Sequence, residues 1–86
     1  MHSLFLSDTA RRFYEAAPPN LQRKLDRCFT LLREEPRRHP NIKALKGQWH
    51  GYYRFRLGDY RVVYRIDEGG SVVIVVVIAH RREVYG

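Results

Sequence analysis

The segment Gly51-Tyr52-Tyr53-Arg54-Phe55-Arg56-Leu57-Gly58-Asp59-Tyr60-Arg61-Val62-Val63-Tyr64-Arg65 constrains the fold more than any other part of the chain. It reads as two strands of alternating character joined by a two-residue Gly-Asp turn. With Gly58 and Asp59 as the loop, Leu57 faces Tyr60, Arg56 faces Arg61, Phe55 faces Val62 and Arg54 faces Val63. Side chains alternate across a strand, so Tyr53, Phe55, Leu57, Tyr60, Val62 and Tyr64 share one face. Tyr52, Arg54, Arg56, Arg61 and Arg65 share the other. Like charges directly across a sheet are destabilising. Arg56 beside Arg61 therefore suggests an anionic partner, although an arginine-lined face is also what a solvated, half-buried strand presents.

Eighty-six residues make a single small domain, 1–86, with one modest core. A 44% hydrophobic and 13% aromatic content is enough to fold it. The net charge of +7 favours a polyanion as partner, nucleic acid before membrane. No apolar run approaches the roughly 20 residues that span a bilayer, and Val72 to Ala79 is far too short. The N-terminus lacks a charged region followed by an apolar one, so a cytoplasmic chain is expected. The single cysteine, Cys28, fits a reducing compartment and forms no internal disulfide.

Leu4-Phe5-Leu6 is a short apolar run suited to an edge strand, and Ser7-Asp8 caps a helix running to about Ala17. Its apolar stripe is Ala10, Phe13, Tyr14 and Ala17. Pro18-Pro19 ends it, and Asn20 is the expected cap of a second helix carrying Leu21, Leu25, Cys28, Phe29 and Leu32 at amphipathic spacing. Within that stripe Cys28 reads as a small buried apolar residue. Pro36 closes the helix, and Arg37 to His50 reads as an irregular linker. After the hairpin, Asp67-Glu68-Gly69-Gly70-Ser71 makes a second turn, and Val72 to Ala79, apolar on both faces, marks a central strand. The predicted class is α+β, ordered β-α-α-β-β-β, a small mainly antiparallel sheet with two helices packed on one face. A register setting Asp67 against Val72 puts Arg65 opposite Ile74 and Arg61 opposite Ile78, with His80 on the basic face. Ile74, Val76 and Ile78 then lie on or near that face.

The residues this layout groups are Arg54, Arg56, Arg61, His80, Arg81 and Tyr85. Guanidinium groups bind phosphate bidentately, so several converging on one face suit an RNA backbone and a pentacoordinate phosphorane. RNA carries its own nucleophile, the 2′-hydroxyl, so cleavage needs positioning, charge stabilisation and proton transfer rather than a metal. His80 suits proton transfer, and equally suits a satisfied histidine at a strand end. Tyr52 adds a stacking surface, while Lys43, Lys46, Arg65 and Arg82 are candidate RNA contacts, Arg65 a peripheral one. Lys43 and Lys46 also read as solubilising loop charges. Trp49 reads first as an anchor for the linker and second as a platform for a base. No carboxylate or histidine cluster has metal-site spacing, and no cofactor motif is present.

Leu45-Lys46-Gly47, then Tyr53 through Tyr64, then Ala79-His80-Arg81-Arg82-Glu83-Val84-Tyr85 together resemble the RelE/ParE toxin superfamily, more closely its RelE branch. The resemblance covers nearly the whole chain. It implies the toxin of a toxin–antitoxin pair, a ribosome-dependent, metal-independent endoribonuclease that cuts mRNA in the A site, where 16S rRNA is at hand. It implies Arg54 and Arg56 around the scissile phosphate, Arg61 stabilising the transition state, Arg81 at the leaving group and Tyr85 stacking on or orienting the substrate. It also implies a small acidic antitoxin and a toxin–antitoxin heterocomplex. The best-studied members carry lysines where this chain has Arg54 and Arg56; arginine does not release a proton, which makes His80 the expected base. The resemblance leaves two other readings: a ParE-like toxin that inhibits gyrase by protein–protein contact, and a catalytically inactive RNA-binding relative.

Overall fold

The computed structural model describes residues 1–67, 69 and 71–84. Within them the chain runs β1 (Ser3–Leu6), α1 (Asp8–Ala16), α2 (Pro19–Glu34), β2 (Ile42–Ala44), a 3-10 turn at Gly47–Trp49, β3 (Tyr52–Leu57), β4 (Tyr60–Asp67), β5 (Val72–His80) and a short α3 (Arg81–Val84). The five strands form one sheet in the order β1-β5-β4-β3-β2. All neighbours are antiparallel except β1 and β5, which run parallel. The expected α+β class holds. The extra strand, β2, lies inside the segment read as a linker and pairs with β3 through Ile42–Phe55, Lys43–Arg54 and Ala44–Tyr53. Three residues are too short for alternation to announce a strand; pairing with β3 makes it one.

The hairpin forms in the predicted register, Leu57 opposite Tyr60 and Arg56 opposite Arg61. Gly58 takes φ +59°, the left-handed value that a two-residue hairpin loop with glycine first requires. Both helices cover one side of the sheet. Ala10 of α1 and Leu21, Leu25, Cys28, Phe29 and Leu32 of α2 close over Phe55, Val62, Tyr64, Val73, Val75 and Ile78. Leu25, Leu32, Val62 and Tyr64 are fully buried, the three aliphatic side chains among them contributing roughly 1.5–3 kcal/mol each. The Tyr64 hydroxyl donates to the Pro36 carbonyl at 2.7 Å, tying the chain beyond α2 to the middle of the sheet. α2 begins at Pro19 rather than after an Asn20 cap; proline's fixed φ and missing N–H suit the first helical position.

One irregularity decides which side chains share a face. Along β4 and β5, Val63 pairs with Val77 but Tyr64 pairs with Val75, so Val76 is an extra residue in the ladder, a β-bulge. Ser7 holds it. Its N–H donates to the Val75 carbonyl at 2.8 Å and its hydroxyl to the Val76 carbonyl at 2.8 Å. The same hydroxyl accepts from Ala10 N–H at 3.1 Å, capping α1. The bulge leaves Arg65 opposite Ile74 but moves Ala79 opposite Arg61, Ile78 opposite Val62 and His80 opposite Tyr60. Two expectations are thereby corrected: Ile78 lies in the core at 3% exposure, and His80 lies on the helix side of the sheet. A single inserted residue reverses side-chain parity beyond it.

Ser7→Ala removes the cap and leaves the Val76 carbonyl without its donor, so the unfolding free energy in urea should fall by about 1–2 kcal/mol; an unchanged midpoint would deny Ser7 this role. A second prediction follows from the core. Burial pushes the Cys28 thiol up from 9.0 to about 12. The Tyr64 hydroxyl is also raised, by burial first and then by Cys28 and Tyr53 against an opposing Arg37. Both groups are neutral when protonated, so the unfolded chain loses these protons first. Their contribution is intact below about pH 9 and is lost as pH climbs towards 12. Denaturation at stepped pH should show that decline, with a shallower slope for Cys28→Ala.

Candidate nucleic-acid interface

Three strands bring their cations to the side of the sheet that the helices leave open. Lys43 pairs with Arg54 across β2 and β3, and Arg56 pairs with Arg61 across β3 and β4. Paired residues point the same way, so all four rise from one face. They line a cleft of about 560 Å³ together with Ala44, Leu45, Lys46 and Trp49. Its wall therefore carries five cationic side chains, one indole and no carboxylate. The Asp8–Arg11 ion pair, at 3.1 Å, is on α1, which packs on the opposite face.

Local structure fixes several of these groups. Nη1 of Arg61 donates to the Gly58 and Tyr60 carbonyls at 3.1 and 3.0 Å, laying this side chain along the hairpin turn. The Arg81 N–H donates to the Asp59 carbonyl at 2.8 Å, which staples the start of α3 to the same turn. Arg81 is exposed there, near the end of the strand that carries Arg61. The loop from β2 to β3 is closed by Leu45 N–H donating to the Tyr52 carbonyl at 2.9 Å. Gly47 and Gly51 take φ +67° and +94° within it. Trp49, half-buried, meets Tyr52 edge to face at 5.4 Å.

The expected site residues thus divide. Arg54, Arg56, Arg61, Lys43 and Lys46 converge on the cleft. Tyr52 and Arg65, paired with each other, share its face but lie outside its wall. Arg82 is exposed on α3. Tyr85 lies outside the described residues. His80 does not join the arginines: its ring stands edge to face with Tyr60 at 5.6 Å, and Tyr60 in turn meets Phe13 of α1 at 5.8 Å. Its Nδ1 accepts from Arg82 N–H at 3.4 Å. The sequence signal underweighted Trp49, whose place between a lysine-glycine turn and a strand start was legible but whose fold-back onto Tyr52 was not. Among the described residues no group of His, Cys, Asp and Glu is arranged to hold a metal ion. The arrangement suits a polyanion that threads a groove and presents at least one flat ring to it.

Known proteins share this layout. The family described as the ParE toxin of the type II toxin–antitoxin system parDE matches residues 5–85. Toxin RelG of Mycobacterium tuberculosis is 32% identical over 85 residues, covering 98% of this chain and 95% of that protein. Among solved structures, the toxin–antitoxin complex RelBE2 of the same organism superposes with a TM-score of 0.78 at 30% identity, covering 93% of this chain and 98% of that one. The archaeal RelE–RelB complex from Pyrococcus horikoshii has the same fold, with a TM-score of 0.81 at 23% identity over 95% of this chain and 97% of that one. A family match across nearly the full length, on a sheet whose open face carries the cations, is decisive: the chain belongs to the RelE/ParE superfamily and is a toxin of the type II toxin–antitoxin class.

Proposed function

We propose that this toxin is a ribosome-dependent endoribonuclease that cuts mRNA in the A site by attack of the 2′-hydroxyl on the adjacent phosphate. The observation that carries this reading is the cleft, where five cations and an indole converge. In the reaction a bond forms between O2′ and phosphorus, the bond to O5′ breaks, and a 2′,3′-cyclic phosphate remains. Arg54, Arg56 and Arg61 hold the phosphate and stabilise the charge that builds on the phosphorane; such preorganised donors matter most at that point. Arg81, beside the hairpin turn, meets the departing 5′-oxygen, and Tyr85 positions a base. Tyr52, Arg65 and Arg82 make flanking contacts with RNA.

His80 is not retained as the base, because the bulge turns it to the helix side. Arginine stays charged, so the proton of the 2′-hydroxyl passes to water and the departing 5′-oxygen takes one from water. The substrate, mRNA on a ribosome, makes the cytoplasm the place of action. Among the described residues no helix is long and apolar enough to cross a membrane.

The partner follows the same face. The RelBE2 and RelE–RelB relatives are solved as toxin–antitoxin complexes. In this chain Phe5, 61% exposed, pairs with Ile74. The half-buried Val77 and Ala79 continue that strip along β5 to the position opposite Arg61. An acidic antitoxin with an amphipathic segment fits both halves of this surface, covering the apolar strip and neutralising the cleft together.

A second reading is kept because the matching family is described by its ParE member: inhibition of gyrase by protein contact, with no nuclease site. An inactive RNA-binding toxin is the third. Primer extension on translated mRNA separates them. A-site cuts should appear with the wild type and fall by roughly 10²–10³-fold in Arg61→Ala, the scale of losing one preorganised charge donor, and also weaken in Arg81→Ala. No cuts together with gyrase-linked DNA breaks would establish the second reading, and RNA binding without either would establish the third.

A further inference from the structure

We infer that Trp49 is the base-stacking platform of the cleft, the residue on which an unpaired base of the bound RNA lies and through which the site reads base size. The inference deepens the RNA reading of the cleft and rests on it. Three observations carry it. Trp49 is the one aromatic side chain in a wall otherwise made of five lysines and arginines with Ala44 and Leu45. A wall of cations holds phosphates without regard to sequence; an indole beside them offers what phosphate contacts lack, a flat surface for a base.

The second observation is that the backbone bearing the ring is held in place. Trp49 ends a 3-10 turn, its N–H donating to the Lys46 carbonyl at 3.3 Å and His50 N–H to the Gly47 carbonyl at 3.0 Å. The loop that bears it is fastened at its base by the Leu45–Tyr52 hydrogen bond. The third is the edge-to-face meeting with Tyr52, at 90° between ring planes. Whichever ring supplies the edge, at least one face of the indole is left uncovered by Tyr52. A ring carried on a braced loop costs less entropy to order when a base settles on it than one on a loose loop. Stacking tolerates every base but favours the larger surface of a purine.

The chain has a single tryptophan, so its fluorescence reports this position alone. The probe is a short single-stranded 2′-O-methyl oligonucleotide, which cannot supply the attacking hydroxyl, compared with an abasic oligonucleotide of the same length. Both should bind through their phosphates, but only the first should quench Trp49. Trp49→Ala should bind the base-bearing probe about 5- to 150-fold more weakly, the range for losing one stacked base, with little change for the abasic one. Trp49→Phe should recover most of that loss, which also shows that the fold tolerates the change. On translated mRNA, Trp49→Ala should blunt any preference for purines at the cut. Equal quenching by both probes, no quenching by either, or undiminished affinity in Trp49→Ala would overturn the inference. Normal quenching with no A-site cuts by the wild type would leave Trp49 as the platform and sink the nuclease reading alone.

Discussion

The geometry of the molecule depends on what Ser7 does at the bulge of β5. Its hydroxyl caps α1 and binds the Val76 carbonyl, and its N–H binds the Val75 carbonyl beside it. One residue thus joins the edge strand, the first helix and the central strand, and absorbs the extra residue at Val76. The bulge lets a strand with valine or isoleucine at nearly every position serve two surfaces. Before it, Val73 and Val75 enter the core; beyond it, Ile78 does. Without the insertion Ala79 and His80 would exchange faces, and Arg61 would stand opposite isoleucine rather than alanine.

This division frees the open face for charge. Stability is built on the helix side, where both helices bury the alternating apolar residues of β3, β4 and β5. The other side can then carry Arg56 directly opposite Arg61 and Lys43 opposite Arg54, an arrangement that costs free energy in the empty protein and is offset when an anion lies across it. Strand pairing spaces these charges before any ligand arrives, so little ordering is left to the moment of binding. Trp49 is held similarly, by the loop that β2 and β3 close.

The hairpin was legible because a two-residue Gly-Asp loop leaves one register, and every expected pair from Leu57–Tyr60 to Arg54–Val63 is observed. The first two helices were legible from caps, prolines and spacing, with only the start of α2 displaced, whereas the short α3 after His80 was not expected. What was hidden arises from contacts distant in sequence. β2 is a strand because β3 stands beside it. The bulge depends on a hydrogen bond between residues 69 apart, and no local pattern in an all-apolar strand reveals it. The extra residue at Val76 is what puts His80 beside Tyr60 rather than on the arginine face. The shared face of Arg54, Arg56 and Arg61 was legible because it is set by the β3–β4 ladder, which runs without a bulge.

If the open face, as the bulge defines it, performs the proposed cleavage, the helix side takes no part in it. Single-turnover cutting of mRNA on the ribosome by His80→Ala tests it most directly. The wild-type rate is expected, because the imidazole packs on Tyr60 away from the cleft. A drop of about 10²–10⁴-fold, the range for removing a general acid or base, in a variant that remains folded would contradict it.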